Sequence, residues 1–249
     1  MTIFKVSFIA AALLTTGIIT TNAQTVDEIM SKHEKAIGGV DNWNKIKTIK
    51  EVGSLTQQGM EINMTQTIAF DKAMRMDISV MGQNGWSIVT KKEGWSYMPF
   101  MGGQKIDTMK PEAVAAQQKQ MDIKGRQMLD YKANGMKAEY VGRDTINSAP
   151  CYKVKFTDKD GGESTSFFDC ATYYILRTES KIKQNDEEME VAIAFNNYKP
   201  LDGGIVMPMS ITAQGVEITF KSIEVNKPVD ESLFVPSMQP VMDKQDVKK

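Results

Sequence analysis

Apolar residues at every second position, recurring through most of the chain, restrict this sequence to a large antiparallel sheet. Met60, Ile62, Met64, Ile68 and Phe70 fall on one side of an extended run, with Glu61, Asn63, Thr65 and Thr67 opposite. Met74, Met76, Ile78 and Val80 repeat the pattern against Arg75, Asp77 and Ser79. Successive side chains of a strand point to opposite faces, so this spacing defines one buried and one solvated face. Gln83-Asn84-Gly85 reads as a turn into Trp86–Thr90, and Glu93-Gly94 as a turn into a strand Trp95–Phe100, giving a meander. The alternation returns at 137–141, 151–157, 164–169, 172–181, 188–198, 205–213 and 216–225. Near Lys221-Ser222 the apolar phase switches from Val216, Ile218 and Phe220 to Ile223 and Val225, which predicts a β-bulge.

Two segments break the pattern. Asp27–Ile37 has helical spacing, with acids in its first turn and Gly38-Gly39 as its stop. Pro111 followed by good helix formers predicts a helix near 111–121, and a second helical turn over 126–132 ends at Asn134-Gly135. The fold class is mainly β (α+β): one antiparallel sheet of about ten to twelve strands, with helices inserted between its early and late halves. A sheet that large curls, so its apolar concavity must be filled, covered or used.

The segment 151–170, CYKVKFTDKDGGESTSFFDC, reads as a hairpin closed by the Gly-rich tip Asp158–Gly162. With the turn centred between Asp160 and Gly161, Cys151 faces Cys170, Tyr152 faces Asp169 and Val154 faces Phe167. That register predicts a Cys151–Cys170 disulfide and hence an oxidising compartment. The N-terminus points the same way. Lys5 precedes the uncharged apolar run Val6–Thr20, and Thr21-Asn22-Ala23 presents small residues where a signal peptidase reads. The run is shorter than the ~20 residues a membrane-spanning helix needs. The expected organisation is a signal peptide over 1–23 cleaved after Ala23, one domain over 24–236, and a disordered polar tail over 237–249. The product is an exported monomer, periplasmic where the source has two membranes.

Chemistry is mostly excluded. A net charge of −1 without a basic cluster argues against nucleic acid. Two cysteines and one histidine make a poor zinc site. The chain has no G-x-S-x-G, phosphate-cradling glycine loop or H-E-x-x-H, and the lone His33 reads as a helix packing residue. No enzyme, cofactor or metal is expected.

What remains is an apolar surface rich in methionine, of which the chain has 18. The candidate ligand-binding residues are Met60, Ile62, Met64, Met74, Met76 and Ile78, joined by Trp86, Trp95, Tyr97 and Phe100, with Val154 and Phe167 from the hairpin. Unbranched, polarizable methionine re-packs around ligands of varied shape. The competing interpretation is that these side chains are simply core between sheet and helices. Arg75 alternates with Met74 and Met76, which places it outward; its other possible roles are bonding helix C-terminal carbonyls or pairing with an anionic head group.

Four segments carry a family resemblance: Ala36–Gly39 (AIGG), Gly94–Phe100 (GWSYMPF), Cys151–Phe156 with the glycine turn and Phe168-Asp169, and Asp230–Pro236 (DESLFVP). In this order they resemble the LolA-like outer-membrane lipoprotein-sorting proteins, in a divergent branch. The resemblance implies an unclosed β half-barrel whose concave apolar face is covered by short helices. It implies a cavity that accepts lipoprotein acyl chains from an inner-membrane release complex and passes them to an outer-membrane receptor. It also implies an arginine that holds the covering helices shut, for which Arg75 is the nearest match. A binder of another lipid, or a sensor or partner-binding module without transport, is the alternative on the same fold.

Overall fold

The computed structural model describes residues 25–123, 127–184 and 187–238. The expected signal peptide, and all but two residues of the expected tail, lie outside them.

Thirteen strands form one sheet: β1 (Thr48–Gln57), β2 (Met60–Ala69), β3 (Ala73–Val80), β4 (Gln83–Thr90), β5 (Gly94–Tyr97), β6 (Asp107–Thr108), β7 (Lys137–Ile146), β8 (Ala149–Thr157), β9 (Glu163–Asp169), β10 (Ile175–Gln184), β11 (Glu187–Pro200), β12 (Val206–Ala213) and β13 (Val216–Val225). Their order in space is β6-β5-β4-β3-β2-β1-β13-β12-β11-β10-β9-β8-β7, antiparallel throughout. The end strands β6 and β7 do not pair with each other, so the sheet is an unclosed half-barrel of mainly β class. Tight turns explain the regular meander. Gln58-Gly59, Met81-Gly82, Asn147-Ser148 and Gln214-Gly215 each put two consecutive residues at positive φ between paired strands. That is the two-residue turn whose twist matches the strands it joins.

The first and last strands hold the halves together. β1 pairs with β13 from Ile49 opposite Val225 to Leu55 opposite Ile218. Lys221 is skipped, with Val52 facing Ser222 and Gly53 facing Phe220. This is the expected bulge, and it keeps Phe220 and Ile223 on one face despite their odd spacing.

Among the described residues, three short helices cover one face: α1 (Val26–Ala36), α2 (Val40–Trp43) and α3 (Pro111–Gln118). Thr25 starts α1 through a capping box, its hydroxyl accepting from the Glu28 amide while the Glu28 carboxylate accepts from the Thr25 amide. The buried side of α1 presents Ile29, Met30 and His33, which lie three and four apart. Under α1 lie Tyr152, Val154, Phe156 and Phe168; under α2 and the segment after α3 lie Ile49, Ile68, Met74 and Met207.

Several expectations change. The turn before β4 is Met81-Gly82, with Gln83 already paired to Val80. The strand after it ends at Tyr97, and Pro99–Met101 is a short 3₁₀ turn because proline supplies no amide to the ladder. Of the helical turn expected over 126–132, residue 126 lies outside the described residues, and 127–132 form turns with Met128 and Asp130 at φ of 54° and 47°. In the 151–170 hairpin, Asp158 builds the tip: its carboxylate accepts from the Asp160 and Gly162 amides. Thr157 then pairs with Glu163, one residue away from the expected register. Cys151 consequently faces Asp169, Tyr152 faces Phe168 and Val154 faces Ser166. Both cysteines are free thiols, so the predicted disulfide is not formed. Burial raises the Cys151 thiol pKa, with the neighbouring Asp144 carboxylate adding to the effect.

Candidate functional site

The register fixes which side chains share the helix-covered, inner face. One row runs Ile49, Ile68, Met74, Val89, Gly94; the next Glu51, Gln66, Met76, Ser87; then Gly53, Met64, Ile78, Gly85; and last Leu55, Ile62, Val80. Burial changes along these rows. In the first row Ile49, Ile68, Met74 and Val89 are all 3% exposed or less. Helix α3 seals this end: a Cβ at Gly94 would stand 3.1 Å from the Val114 methyl and 2.9 Å from the Met109 sulfur. The second row is a buried polar belt of Glu51, Gln66 and Ser87. Gln66 bonds the Gln120 side chain at 3.3 Å, tying the belt to the segment that follows α3.

Beyond that belt the inner face is only partly covered. Leu55, Ile62, Met64, Ile78 and Val80 are half-buried, and Met60 at the rim is exposed. The same band continues onto the other half of the sheet through Ile218, Ile211, Phe195 and Ile193, which are also half-buried. Over Gly85 the ring of Phe100 fits where a side chain would be: a Cβ there would lie 2.7 Å from it. The hollow is thus closed at one end of the strands and apolar and open at the other.

Of the expected ligand residues, Met60, Ile62, Met64, Met74, Met76, Ile78, Phe100 and Val154 lie on this inner side, Met74 and Val154 as sealed core. Trp86, Trp95, Tyr97 and Phe167 do not. Trp86 faces Asp77 and Tyr97, and Trp95 faces Ile88, all on the outer face. Phe167 faces Lys153 there, whose ammonium lies 5.2 Å from the ring centre. Miscounting a turn by one residue reverses the face of every side chain that follows. The band on β11–β13 was missed as a site, although its signal, the alternation of Ile193, Phe195, Ile211, Ile218 and Phe220, is plain in the sequence.

Arg75 lies on the outer face, as alternation predicts, yet it is 2% exposed. The 3₁₀ turn Glu231–Phe234 covers it. Its Nε and Nη2 donate to the Asp77 carboxylate at 2.7 to 2.9 Å, and Nη1 donates to the Leu233 carbonyl at 2.9 Å. The guanidinium also sits 5.4 Å from the Trp86 ring centre. Arg75 therefore fastens the chain's C-terminal segment, not the covering helices.

His33 is buried against the edge of Phe168, with ring centres 5.1 Å apart. Its Nδ1 lies 2.9 Å from the Tyr173 carbonyl and its Nε2 3.4 Å from the Gln127 carbonyl; both oxygens only accept, and the shorter contact favours the proton on Nδ1. Loss of hydration lowers its pKa. Held this way, the ring packs α1 onto the sheet. The helix is also tied to the segment before β7: Asp27 accepts from Tyr131 at 2.5 Å and Lys132 at 2.7 Å, and Glu34 accepts from the Asp130 amide.

No family model matches the sequence, and no curated protein matches it. The architecture itself defines the class: an unclosed antiparallel half-barrel with a helix-covered inner face, the LolA-like fold. Among solved structures the chain is similar to a DUF1329-family protein from Desulfovibrio piger (12% identity, TM-score 0.53, 84% of this chain and 96% of that one). It is similar also to a putative outer-membrane lipoprotein-sorting protein domain from Vibrio parahaemolyticus (13%, 0.51, 84% and 95%). A third likeness is to a LolA-superfamily protein from Nitrosomonas europaea (9%, 0.52, 85% and 98%).

Proposed function

We propose that this protein is an exported, non-enzymatic carrier that shields the acyl chains of a lipoprotein, or of another lipid, in the open half of its inner face. The observation that carries this reading is the continuous band of half-exposed apolar side chains, from Ile78 and Met64 through Leu55 to Ile218 and Ile193, beyond the reach of the helices. An isolated soluble domain gains nothing from leaving such a band half-covered on a concave face. Burying roughly a dozen methylenes contributes about 10 kcal/mol, similar to the ~4–15 kcal/mol lost on association, so binding is reversible. Reversible binding suits carriage between membranes, from an inner-membrane release complex to an outer-membrane receptor. The apolar leader over 1–23 supports export, and the sorting-domain likeness supports a lipoprotein cargo.

The test is extraction of the purified protein followed by lipid mass spectrometry, with displacement of a fluorescent fatty-acid probe. Copurifying lipid and probe displacement are expected, and the double variant Ile62→Asp, Met64→Asp should weaken probe binding at least tenfold. Absence of both lipid and displacement would sink the proposal.

The rim favours a second reading. Met81 and Met101 are 82% and 79% exposed at the open end, a surface suited to contact with a protein partner. A module of that kind would form a stable complex with a folded periplasmic domain while its hollow held no lipid.

A further inference from the structure

A cleft of about 930 Å³ lies at the opposite end of the strands from the open hollow. It forms where β1 begins and β2 and β13 end; along β1 from Thr48 to Leu55, at ~3.4 Å per residue, the separation is roughly 24 Å. Asn226, at φ 56°, builds its back wall. The Asn226 side chain accepts from the Lys47 amide at 2.7 Å and donates to the Lys45 carbonyl at 3.2 Å, while its own amide donates to the Thr48 carbonyl. The Thr48 hydroxyl donates to the Lys227 carbonyl at 2.8 Å. These bonds hold the walls in place without using any lysine ammonium group.

The lining combines two chemistries. Phe70, Phe234, Val229 and Pro228 give it an apolar floor. Lys45, Lys47, Lys72 and Lys227 surround that floor, all four exposed, against the single acid Glu231. Lys72 is drawn to Glu231 at 2.9 Å and Lys227 to Asp202 at 3.8 Å. Neither Lys45 nor Lys47 has an ion-pair partner among the described residues. Uncompensated positive charge around an apolar floor is complementary to a ligand with an anionic head and a short apolar body. Lysine ammonium groups neutralise phosphate as mobile point charges, without the fixed geometry arginine demands. The cleft's concave shape admits one molecule rather than a flat bilayer.

We propose that this cleft is a second ligand site, which binds a single phosphate-headed amphiphile with its head group among Lys45, Lys47, Lys72 and Lys227 and the start of its chain on Phe70 and Phe234. It is independent of the hollow and does not rest on the carrier reading. In that arrangement Glu231 is a built-in competitor, since it occupies Lys72 until the phosphate displaces it.

The experiment uses the full protein carrying Ile62→Asp and Met64→Asp, which disables the hollow and leaves the cleft intact. Dodecyl phosphate, kept below its micelle concentration, is titrated calorimetrically beside inorganic phosphate and dodecyl maltoside. Dodecyl phosphate should bind at one site, at least tenfold tighter than either control, and weaken as salt is raised. Lys45→Glu with Lys47→Glu should cost at least tenfold, and both side chains are exposed, so folding is preserved. Glu231→Gln should tighten binding severalfold, an effect no loss of structure would mimic. Equal affinity for the maltoside would overturn the role of charge, equal affinity for inorganic phosphate the role of the floor. Unchanged binding in the double glutamate variant would overturn the site.

Discussion

Arg75 shows how one buried charge takes its meaning from what packs over it. Alternation assigns it correctly to the outer face, but no period in a strand reveals that Leu233, 158 residues further on, will close over it. Removing the guanidinium leaves Asp77, whose side chain is 41% exposed, to be rehydrated by water. Arg75→Ala should therefore cost about 2 kcal/mol in urea denaturation rather than the larger penalty of a sealed ion pair. Arg75→Lys should restore less than half, because an ammonium cannot span Asp77 and the Leu233 carbonyl together. Probe binding in the hollow should not change in either variant, whereas an arginine that held the covering helices would alter it. His33 gives a pH dependence of defined sign. Its pKa is lowered in the folded chain from 6.5, so the unfolded chain takes up the proton first. Stability is then fully present above about pH 6.5 and falls as the pH drops below it. His33→Gln, which retains a donor for the Tyr173 carbonyl, should flatten the denaturation midpoints measured between about pH 6.5 and 5. Asp27, held low by its Lys132 and Tyr131 hydrogen bonds, and Asp158, held low by the Gly162 and Asp160 amides, destabilise only at more acidic pH, below their ordinary 3.8.

The elements were legible where periodicity alone decides them, and obscure where a turn sets the phase. Strand β13 matches its expected bounds, and its bulge could be read from two phases of apolar residues. The hairpin at 151–170 was also evident, but its register hung on whether the tip centres on Asp160 or half a residue later. The Asp158 carboxylate, bonded to two tip amides, decided that, and with it the face of Phe167. At β4 the turn falls at Met81-Gly82 rather than at the expected Gln83-Asn84-Gly85, which leaves Gly85 within the strand, where Phe100 packs over it. The junction between α1 and α2 has its own glycine requirement. Gly38 adopts φ 107°, and a Cβ there would collide with the Gly204 carbonyl. That close approach lets the Val206 amide donate to the Ile37 carbonyl, which also accepts from the Trp43 indole. Gly38→Ala should thus lower stability by more than about 2 kcal/mol, read as a fall in the urea midpoint with little change in slope.

At the scale of the molecule, the sheet's free ends are guarded in different ways. β6 is two residues long, while β7 carries Lys137, Glu139, Arg143 and Asp144, charges that discourage edge-to-edge pairing. The chain leaves the sheet at β6 and re-enters it at β7, so everything between has to travel from one rim of the half-barrel to the other. On the way Val114, Met121, Leu129 and Tyr131 are buried against the inner face. Mechanically that crossing segment is a bowstring: it joins the two tips of a bent sheet, and its length sets how far the tips can part. If the hollow takes the proposed acyl guest, one that widens it would have to straighten the sheet against this tether, and the tether would limit the guest's girth. Lengthening the string by four Gly/Ser residues at Asn134–Gly135 adds little closure entropy. It should shift the best-bound fatty-acid probe towards bulkier chains in a displacement series, and an unaltered preference would show that the string is slack.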